Sequence, residues 1–228
     1  MSSTGFFITG TDTDVGKTVI SRALIARWVE QGLNVAPLKP ISAGCDQTPE
    51  GLRNDDALRM MAAANVALPY ETVNPFAYEP PIAPHIAAER ARRPMDIQTC
   101  VGALNEACKQ ADLCVVEGAG GWLVPLDDED TLEDLAIALA LPVILVVGIR
   151  LGCLNHAQLT ARAIVDSGLP FAGWIANHLG AQTPEADANV ITLEERLPAP
   201  LLEVVPFDPD PQHTCTETAT KLLATLRH

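Results

Sequence analysis

The chain has 228 residues, of which 48% are hydrophobic and 19% are charged. The apolar fraction excludes a disordered chain, and the length is sufficient for one substantial core. Fifteen Lys and Arg stand against 29 Asp and Glu, a net charge of -14. Because nucleic-acid binding needs basic surface to displace counterions, this balance argues against a nucleic-acid partner.

Membrane and secretion signals are missing from the sequence. The longest apolar stretch, residues 139–148, is interrupted by Pro142 and is far shorter than the ~20 residues that cross a bilayer. The N-terminus has no basic segment and no cleavage-site pattern. The six cysteines form no CxxC pair, which favours reduced thiols packed in or near the core. We therefore expect a cytoplasmic protein without a membrane partner.

Strand-like apolar runs alternate with helical periodicity along the chain. The predicted strands are residues 5–10, 34–38, 112–117, 142–148, 171–177 and 201–206. The predicted helices are residues 17–31, 55–65, 83–92, 97–111, 131–140, 154–167, 184–197 and 216–226. The proline-rich residues 68–84 read as an ordered irregular connection. Since no linker or repeat divides the chain, the pattern predicts one α/β domain over residues 1–228, with a mostly parallel central sheet covered by helices on both faces.

The loop after the first predicted strand has the composition of a phosphate-binding loop. It reads GTDTDVGKT, residues 10–18, and leads into a predicted helix. Its glycines allow backbone N–H groups to turn toward phosphate, and the helix N-terminus adds partial positive charge. Lys17 can reach the terminal phosphates, and the Thr18 hydroxyl can bind Mg²⁺. The spacing from Gly10 to Gly16 is one residue longer than the common form, but strand, loop and helix together favour phosphate binding over a simple capped turn.

Charged residues follow the next two strands. Lys39 ends the second strand, and because the chain has only four lysines, a role in anion binding is favoured over a surface position. Glu117 ends the third strand and precedes GAGG, residues 118–121. A carboxylate there can hold Mg²⁺, and the small residues allow a ligand to approach the backbone. Asp56 lies beside Asn54 and Asp55, where helix capping explains the pattern as well as a metal site does.

The later loops give weaker signals. Residues 151–156 place successive N–H groups at a helix start, which suits a carboxylate or phosphate. Within them we expect Cys153 to be packed rather than nucleophilic and His156 to be structural. Asn177 ends the fifth strand, where its amide could read a base edge.

Eight segments, in order from residue 10 to 207, closely resemble the dethiobiotin synthetase family. They are GTDTDVGKT (10–18), LKPISAG (38–44), TPEGLRNDDAL (48–58), VNPFAYEPPIAPHIAA (73–88), VVEGAGGWLVPL (115–126), LPVILVVGIRLGCLNHAQLT (141–160), GWIANH (173–178) and PAPLLEVVPF (198–207). Many families share a phosphate loop, but VEGAGGW, LGCLNHA and GWIAN are far more specific. The resemblance implies a P-loop NTPase-like fold and an ATP-dependent ligase of biotin biosynthesis.

The reaction implied by the resemblance joins 7,8-diaminononanoate, CO₂ and ATP to give dethiobiotin, ADP and phosphate. One amine captures CO₂ as a carbamate, whose oxygen then takes the γ-phosphoryl group. The second amine attacks the carbonyl of this mixed anhydride, closes the ring and expels phosphate.

The resemblance also implies a role for individual residues. The reacting groups would be Thr13, Lys17 and Lys39, and Mg²⁺ would be held by Thr18, Asp56 and Glu117. ATP would contact Asp14, Val15, Gly16, Lys17, Thr18, Val19, Asp56, Glu117, Gly118, Ala119, Gly120, Asn177, His178, Pro206, Phe207 and Asp208. The diamine would contact Lys39, Ser42 and Ala43, and, from the partner subunit of a homodimer, Gly152, Cys153, Leu154 and Asn155.

The sequence departs from the family pattern at three places. Asp14 stands where relatives often carry Glu, Ala43 where they often carry Ser, and His178 where an Asp is also seen. Ser42, the neighbour of Ala43, could take over the hydroxyl contact.

A second hypothesis is a nucleotide-switch ATPase of the partitioning or cofactor-maturation type, which shares the fold. The first loop lacks the extra lysine near its start that marks many such switches, because Gly10, Thr11 and Asp12 occupy that stretch. The acidic balance also offers no DNA or membrane surface.

Overall fold

The computed structural model describes residues 4–181, 183–207 and 214–226. Its strands are β1 Gly5–Gly10, β2 Val35–Leu38, β3 Ile41–Ser42, β4 Asp46–Thr48, β5 Gly51–Arg53, β6 Phe76–Ala77, β7 Leu113–Glu117, β8 Val143–Ile149, β9 Phe171–His178 and β10 Leu201–Val205. Its helices are α1 Lys17–Glu30, α2 Asp55–Ala63, α3 Tyr70–Val73, α4 Pro84–Ala91, α5 Ile97–Cys108, α6 Leu132–Leu139, α7 Cys153–Asp166, α8 Pro184–Arg196 and α9 Thr216–Thr225.

Six strands form one parallel sheet in the order β10-β9-β8-β1-β7-β2. Successive side chains of a strand point to opposite faces, and the residues of β1 divide accordingly. Phe6 and Ile8 pack in one apolar cluster with Trp28 of α1, whereas Phe7 packs in the other. Helices therefore cover both faces, and the predicted α/β fold is confirmed.

All six predicted strands and all eight predicted helices are present, with ends shifted by at most three residues. The sequence reading missed the antiparallel pair β4–β5, the parallel pair β3–β6 and the short helix α3. These elements have two to four residues each, too few to show a hydrophobic period. Residues 68–84 are thus not wholly irregular, and α3 and β6 pack them against the end of β2.

The thiols and the helices agree with the sequence reading. All six cysteines are free, and all but the half-buried Cys108 are buried. Over the described ranges, no helix combines the length and apolar character that a bilayer crossing demands.

Candidate active site

The turn between β1 and α1 adopts a conformation that specific residues enforce. Gly16 precedes α1 with φ +93°, and a side chain there would place Cβ 2.1 Å from Asn177 Nδ2. That same amide donates a hydrogen bond to the Val15 carbonyl at 2.9 Å. Asn177, near the end of β9, therefore supports the loop. Glycine is required at position 16 because the loop packs directly against the Asn177 amide.

Lys17 closes the loop on itself. Its Nζ donates to the Asp12 carbonyl at 2.8 Å, and the Asp12 carboxylate pairs with Arg150 after β8. Burial, followed by repulsion from the Lys39 ammonium, lowers the pKa of Lys17 to about 8. An anion in the pocket would offset both effects, because its negative charge stabilises the protonated form of Lys17.

Lys39 forms the most deeply buried ion pair of the site. Its Nζ lies 2.6 Å from Glu117 Oε1 and 3.0 Å from the Gly118 carbonyl oxygen, and 3.6 Å from Asp56 Oδ2. Burial by itself would lower the pKa of Lys39, but the Glu117 and Asp56 carboxylates outweigh it and raise that pKa. Lys39 therefore carries its positive charge throughout the neutral range.

The three residues predicted to hold Mg²⁺ gather around this ammonium. The Thr18 hydroxyl donates to Glu117 Oε1 at 3.0 Å, and Asp56 approaches from α2. Glu117 Oε2 is buried and has no hydrogen-bond partner among the described residues, so an acceptor is left over for a cation. Two carboxylates and a hydroxyl are hard oxygen donors of the kind that hold Mg²⁺ together with substrate phosphates. The donor set fits this ion.

A pocket of about 790 Å³ unites half of the predicted residues. Its lining includes Thr13, Asp14, Gly16, Lys17, Thr18, Val19, Lys39, Ser42, Ala43, Asp56, Ala119 and Gly120. The sequence reading assigned no site role to Asn54, Arg59, Pro81, Ile82, Ala83, Pro84, Val124 and Pro125, which also line it. Prolines in the connection were visible in the sequence, but only the tertiary path of residues 81–84 brings them to this wall.

The Ser42 hydroxyl is already engaged inside the protein. It donates to Asn74 Oδ1 at 2.8 Å and lies 3.2 Å from Cys45 Sγ, and the side chain is buried. In this conformation Ser42 does not offer a free hydroxyl in place of the one missing at Ala43.

Other predicted residues lie outside this pocket. Gly152, with φ +95°, precedes α7. Cys153 is buried in the core, as expected. Asn155 lies in a second groove beside α7.

Among the described residues, those expected to contact the base lie at the end of β9 and just after β10. Asn177 and His178 are buried, and His178 Nε2 has no partner in the described part of the chain. Phe207 is exposed just after β10. Asp208 lies outside the described residues.

Solved structures with a similar fold are P-loop ATPases. The MinC:MinD cell division complex of Aquifex aeolicus superimposes with a TM-score of 0.63 and 15% identity, over 97% of this chain and 96% of that chain. A ParA family ATPase from Chlorobium tepidum gives a TM-score of 0.56 and 12% identity, over 99% of each chain. At such low identity these likenesses confirm the P-loop NTPase-like fold alone.

Sequence comparison is far more specific. A family model described as an AAA domain matches residues 4–213. Proteins named ATP-dependent dethiobiotin synthetase BioD are similar to this chain. The protein of Cellvibrio japonicus is 51% identical, over 90% of this chain and 90% of its own length. The protein of Aeromonas salmonicida is also 51% identical, over 90% of this chain and 92% of its own length. The chain belongs to the ATP-dependent dethiobiotin synthetase family.

Proposed function

We propose that this protein is an ATP-dependent cyclo-ligase that converts 7,8-diaminononanoate and CO₂ into dethiobiotin, with ADP and phosphate as the other products. The observation that carries the proposal is the buried Lys39 ammonium, held by Glu117 at the edge of the pocket that Lys17 and the phosphate loop also line. Two anions that repel each other, a carbamate and a triphosphate, need such a concentration of positive charge before they can react.

The chemistry has three steps. One substrate amine attacks CO₂ and loses a proton, giving a carbamate. A carbamate oxygen attacks the γ-phosphorus of ATP, and the bond to the bridging oxygen breaks to release ADP. The second amine then attacks the carbonyl carbon, and phosphate leaves with the electron pair of the broken C–O bond while the amine gives up its proton.

The chain contributes charge and position to each step. Lys17 and Lys39 would stabilise the negative charge that shifts from the terminal phosphate to the leaving group. Thr13 lines the same pocket. Because Glu117 and Gly118 already fix the Lys39 ammonium, little reorganisation is needed when the charge develops. Holding both amines of one substrate near the same carbonyl favours ring closure over hydrolysis.

Thr18, Asp56 and Glu117 would hold Mg²⁺, which when bound neutralises charge on the phosphates. The unpaired Glu117 Oε2 supports this assignment. We assign the triphosphate to residues 14–19 and 117–120. We assign the base to the last two residues of β9 and to the three residues after β10: Asn177, His178, Pro206, Phe207 and Asp208.

We also propose that the enzyme is a homodimer in which α7 of the partner completes the diamine site. Along α7 and the turn before it, Leu151, Leu159 and Val165 are 100%, 60% and 49% exposed. Exposed apolar side chains on α7 and in the turn before it favour contact with another protein surface. Residues 152–155, at the start of this helix, do not line the pocket of their own chain, and in the proposed dimer the partner's copies of them reach the substrate.

The free thiols fit a reducing compartment, and we propose a cytoplasmic location.

Phosphate release from ATP in the presence of Mg²⁺ tests the function. We expect release to require the diamine and bicarbonate together, and nonanoate, which has the chain and carboxylate but neither amine, to give none. If ATP turned over equally fast without the diamine, the ligase would be excluded and the nucleotide-switch ATPase would take its place.

A further inference from the structure

Asn74, in the proline-rich connection, uses both ends of its side-chain amide beside the catalytic lysine. Its Nδ2 donates to the carbonyl oxygen of Lys39. Its Oδ1 accepts from the Ser42 hydroxyl at 2.8 Å and from the Tyr70 hydroxyl at 2.9 Å. The Asn74 side chain is 3% exposed, so these three bonds are made out of contact with solvent.

Tyr70 extends this set of bonds to α2. Its hydroxyl oxygen accepts from the backbone N–H of Asn54 at 2.7 Å, and the Asn54 side chain caps α2 by accepting from Ala57 N at 3.1 Å. Asp56 lies in the first turn of that helix. The start of α2 is thereby tied to Asn74 through a single phenolic oxygen.

The bonds close into a ring. From the Lys39 carbonyl they run through Asn74, Tyr70 and Asn54 to the first turn of α2, and the Asp56 carboxylate there lies 3.6 Å from Lys39 Nζ. The backbone supports the same geometry, since Lys39 N donates to the Val73 carbonyl at 2.8 Å. One buried network therefore fixes both the main chain that carries Lys39 and the helix that carries Asp56.

We propose that Asn74 and Tyr70 are positioning residues that set the Lys39 ammonium at the reacting phosphoryl group. This inference rests on the proposed function, because it assigns Lys39 to the phosphoryl transfer. Neither residue needs to touch the substrate. Their role is to hold the peptide after β2 and the start of α2 in one mutual arrangement, so that the charge of Lys39 meets the carbamate rather than lying to one side.

The test is a double-mutant cycle with Lys39. We expect Tyr70→Phe, which removes only the hydroxyl, to lower kcat about 10-fold and Asn74→Ala about 10- to 100-fold, since small misplacements of catalytic groups cost up to about 100-fold. The KM for ATP should change less than about threefold, because an interaction made only in the transition state affects kcat and leaves substrate binding nearly unchanged. In a Lys39→Ala background either change should lower kcat by a smaller factor than in the unaltered enzyme, because the share that acts through Lys39 is already absent and only the share that acts through Asp56 remains.

A purely structural role would give a different pattern. If the substitutions acted by general loosening, they would lower kcat by the same factor whether or not Lys39 was present, and that result would overturn the inference. Tyr70→Phe keeps the aromatic ring, whose centroid lies 4.2 Å from Arg53 Cζ. This variant therefore remains informative if Asn74→Ala fails to fold. A normal kcat in a folded Tyr70→Phe enzyme would equally reject the role of Tyr70.

Asn65 provides a matched control, because its side chain bonds the backbone at the start of β2, whereas Asn74 bonds the backbone just after the end of β2. Its Oδ1 accepts from Val35 N at 2.8 Å and its Nδ2 donates to the Leu33 carbonyl at 2.9 Å. Asn65→Ala thus removes two side-chain bonds to the backbone at the start of β2. At temperatures where this variant is folded, we expect its kcat to stay within about twofold of that of the unaltered enzyme, which is about the resolution of such kinetic comparisons. Diamine-dependent phosphate release by the unaltered enzyme tests the proposed function separately, so an additive cycle in an active ligase rejects this inference alone.

Discussion

Lys39 is a buried charge whose presence is explained by chemistry rather than by stability. Its ammonium is buried with the fully buried Glu117, and a buried pair of this kind adds little net stability over an apolar pair of the same volume. The expense of desolvating both groups is better explained by function, because an ammonium fixed in a dry site interacts strongly with charge that develops beside it.

Lys39→Ala should therefore affect turnover far more than ATP binding. We expect kcat to fall about 100- to 1000-fold, by analogy with the loss of one charge-stabilising donor, while the Kd for ATP changes only slightly because Lys17 and the loop remain. Single-turnover assays and ATP titrations measure the two quantities. Near-normal turnover would remove Lys39 from the mechanism.

Two controls accompany this variant. Lys109 is exposed and pairs only with Glu106 on α5 among the described residues, so Lys109→Ala should leave kcat unchanged. Lys39→Ala also leaves the Glu117 carboxylate buried and without its ammonium, which destabilises a fold by about 3–5 kcal/mol. Assays must therefore be run well below the unfolding midpoint of the variant.

At the scale of elements, short polar devices fix where helices begin beside the site. Asp134 of α6 accepts a hydrogen bond from the Thr131 N–H at 2.8 Å, the bond that the third helical residue makes in a capping box. It also accepts from the Thr131 hydroxyl at 2.7 Å. Leu132, which follows Thr131, packs closely against Gly118. A Cβ added to Gly118 would lie 2.8 Å from Leu132 Cδ2. The start of α6 thus supports the main chain just after Glu117.

Thr131→Ala tests this device through its pH dependence. The Thr131 hydroxyl, followed by backbone N–H groups, holds the pKa of Asp134 below its usual value, so the carboxylate contributes stability that is full above the ordinary Asp pKa and lost as pH falls through the lowered one. We expect Thr131→Ala to lower the free energy of unfolding by about 1 kcal/mol near neutral pH, the net contribution of one hydrogen bond, and the difference to shrink toward zero as Asp134 is protonated in acid.

Urea unfolding at several pH values measures that difference. Thr192 is a control, because its hydroxyl bonds the Ala188 carbonyl within α8 and caps nothing, so Thr192→Ala should cost nothing. A Thr131→Ala loss that stayed constant from neutral pH into acid would contradict the linkage to Asp134.

For the whole molecule, the proposed dimer would explain why two parts of one predicted site lie apart. The phosphate loop and Lys39 share a pocket, whereas residues 152–155 begin a helix whose exposed face carries Leu159 and Val165. If α7 packs against a second copy, these exposed side chains are covered and the helix start can reach the partner's diamine.

Leu159→Arg should disrupt this dimer. Light scattering should give twice the 24.3 kDa chain mass for the unaltered protein and the single mass for the variant, because a charge cannot be buried unpaired in an apolar interface. The KM for the diamine should rise with dissociation. Ile137→Arg, at a 43% exposed position on α6, should leave mass and activity unchanged, and a fully active monomer would contradict the shared site.

The sequence by itself determined the parallel sheet, the phosphate loop and the candidacy of Lys39 and Glu117. These features are local, because each depends on a continuous apolar run or on residues at the end of one. Only the tertiary structure brought Lys39 within 2.6 Å of a carboxylate 78 positions along the chain. It also directed the Ser42 hydroxyl to Asn74 and linked Asn74 by hydrogen bonds to Lys39 and, through Tyr70, to the start of α2. No local pattern encodes these contacts, since they arise where separate segments pack together and buried polar groups must find partners.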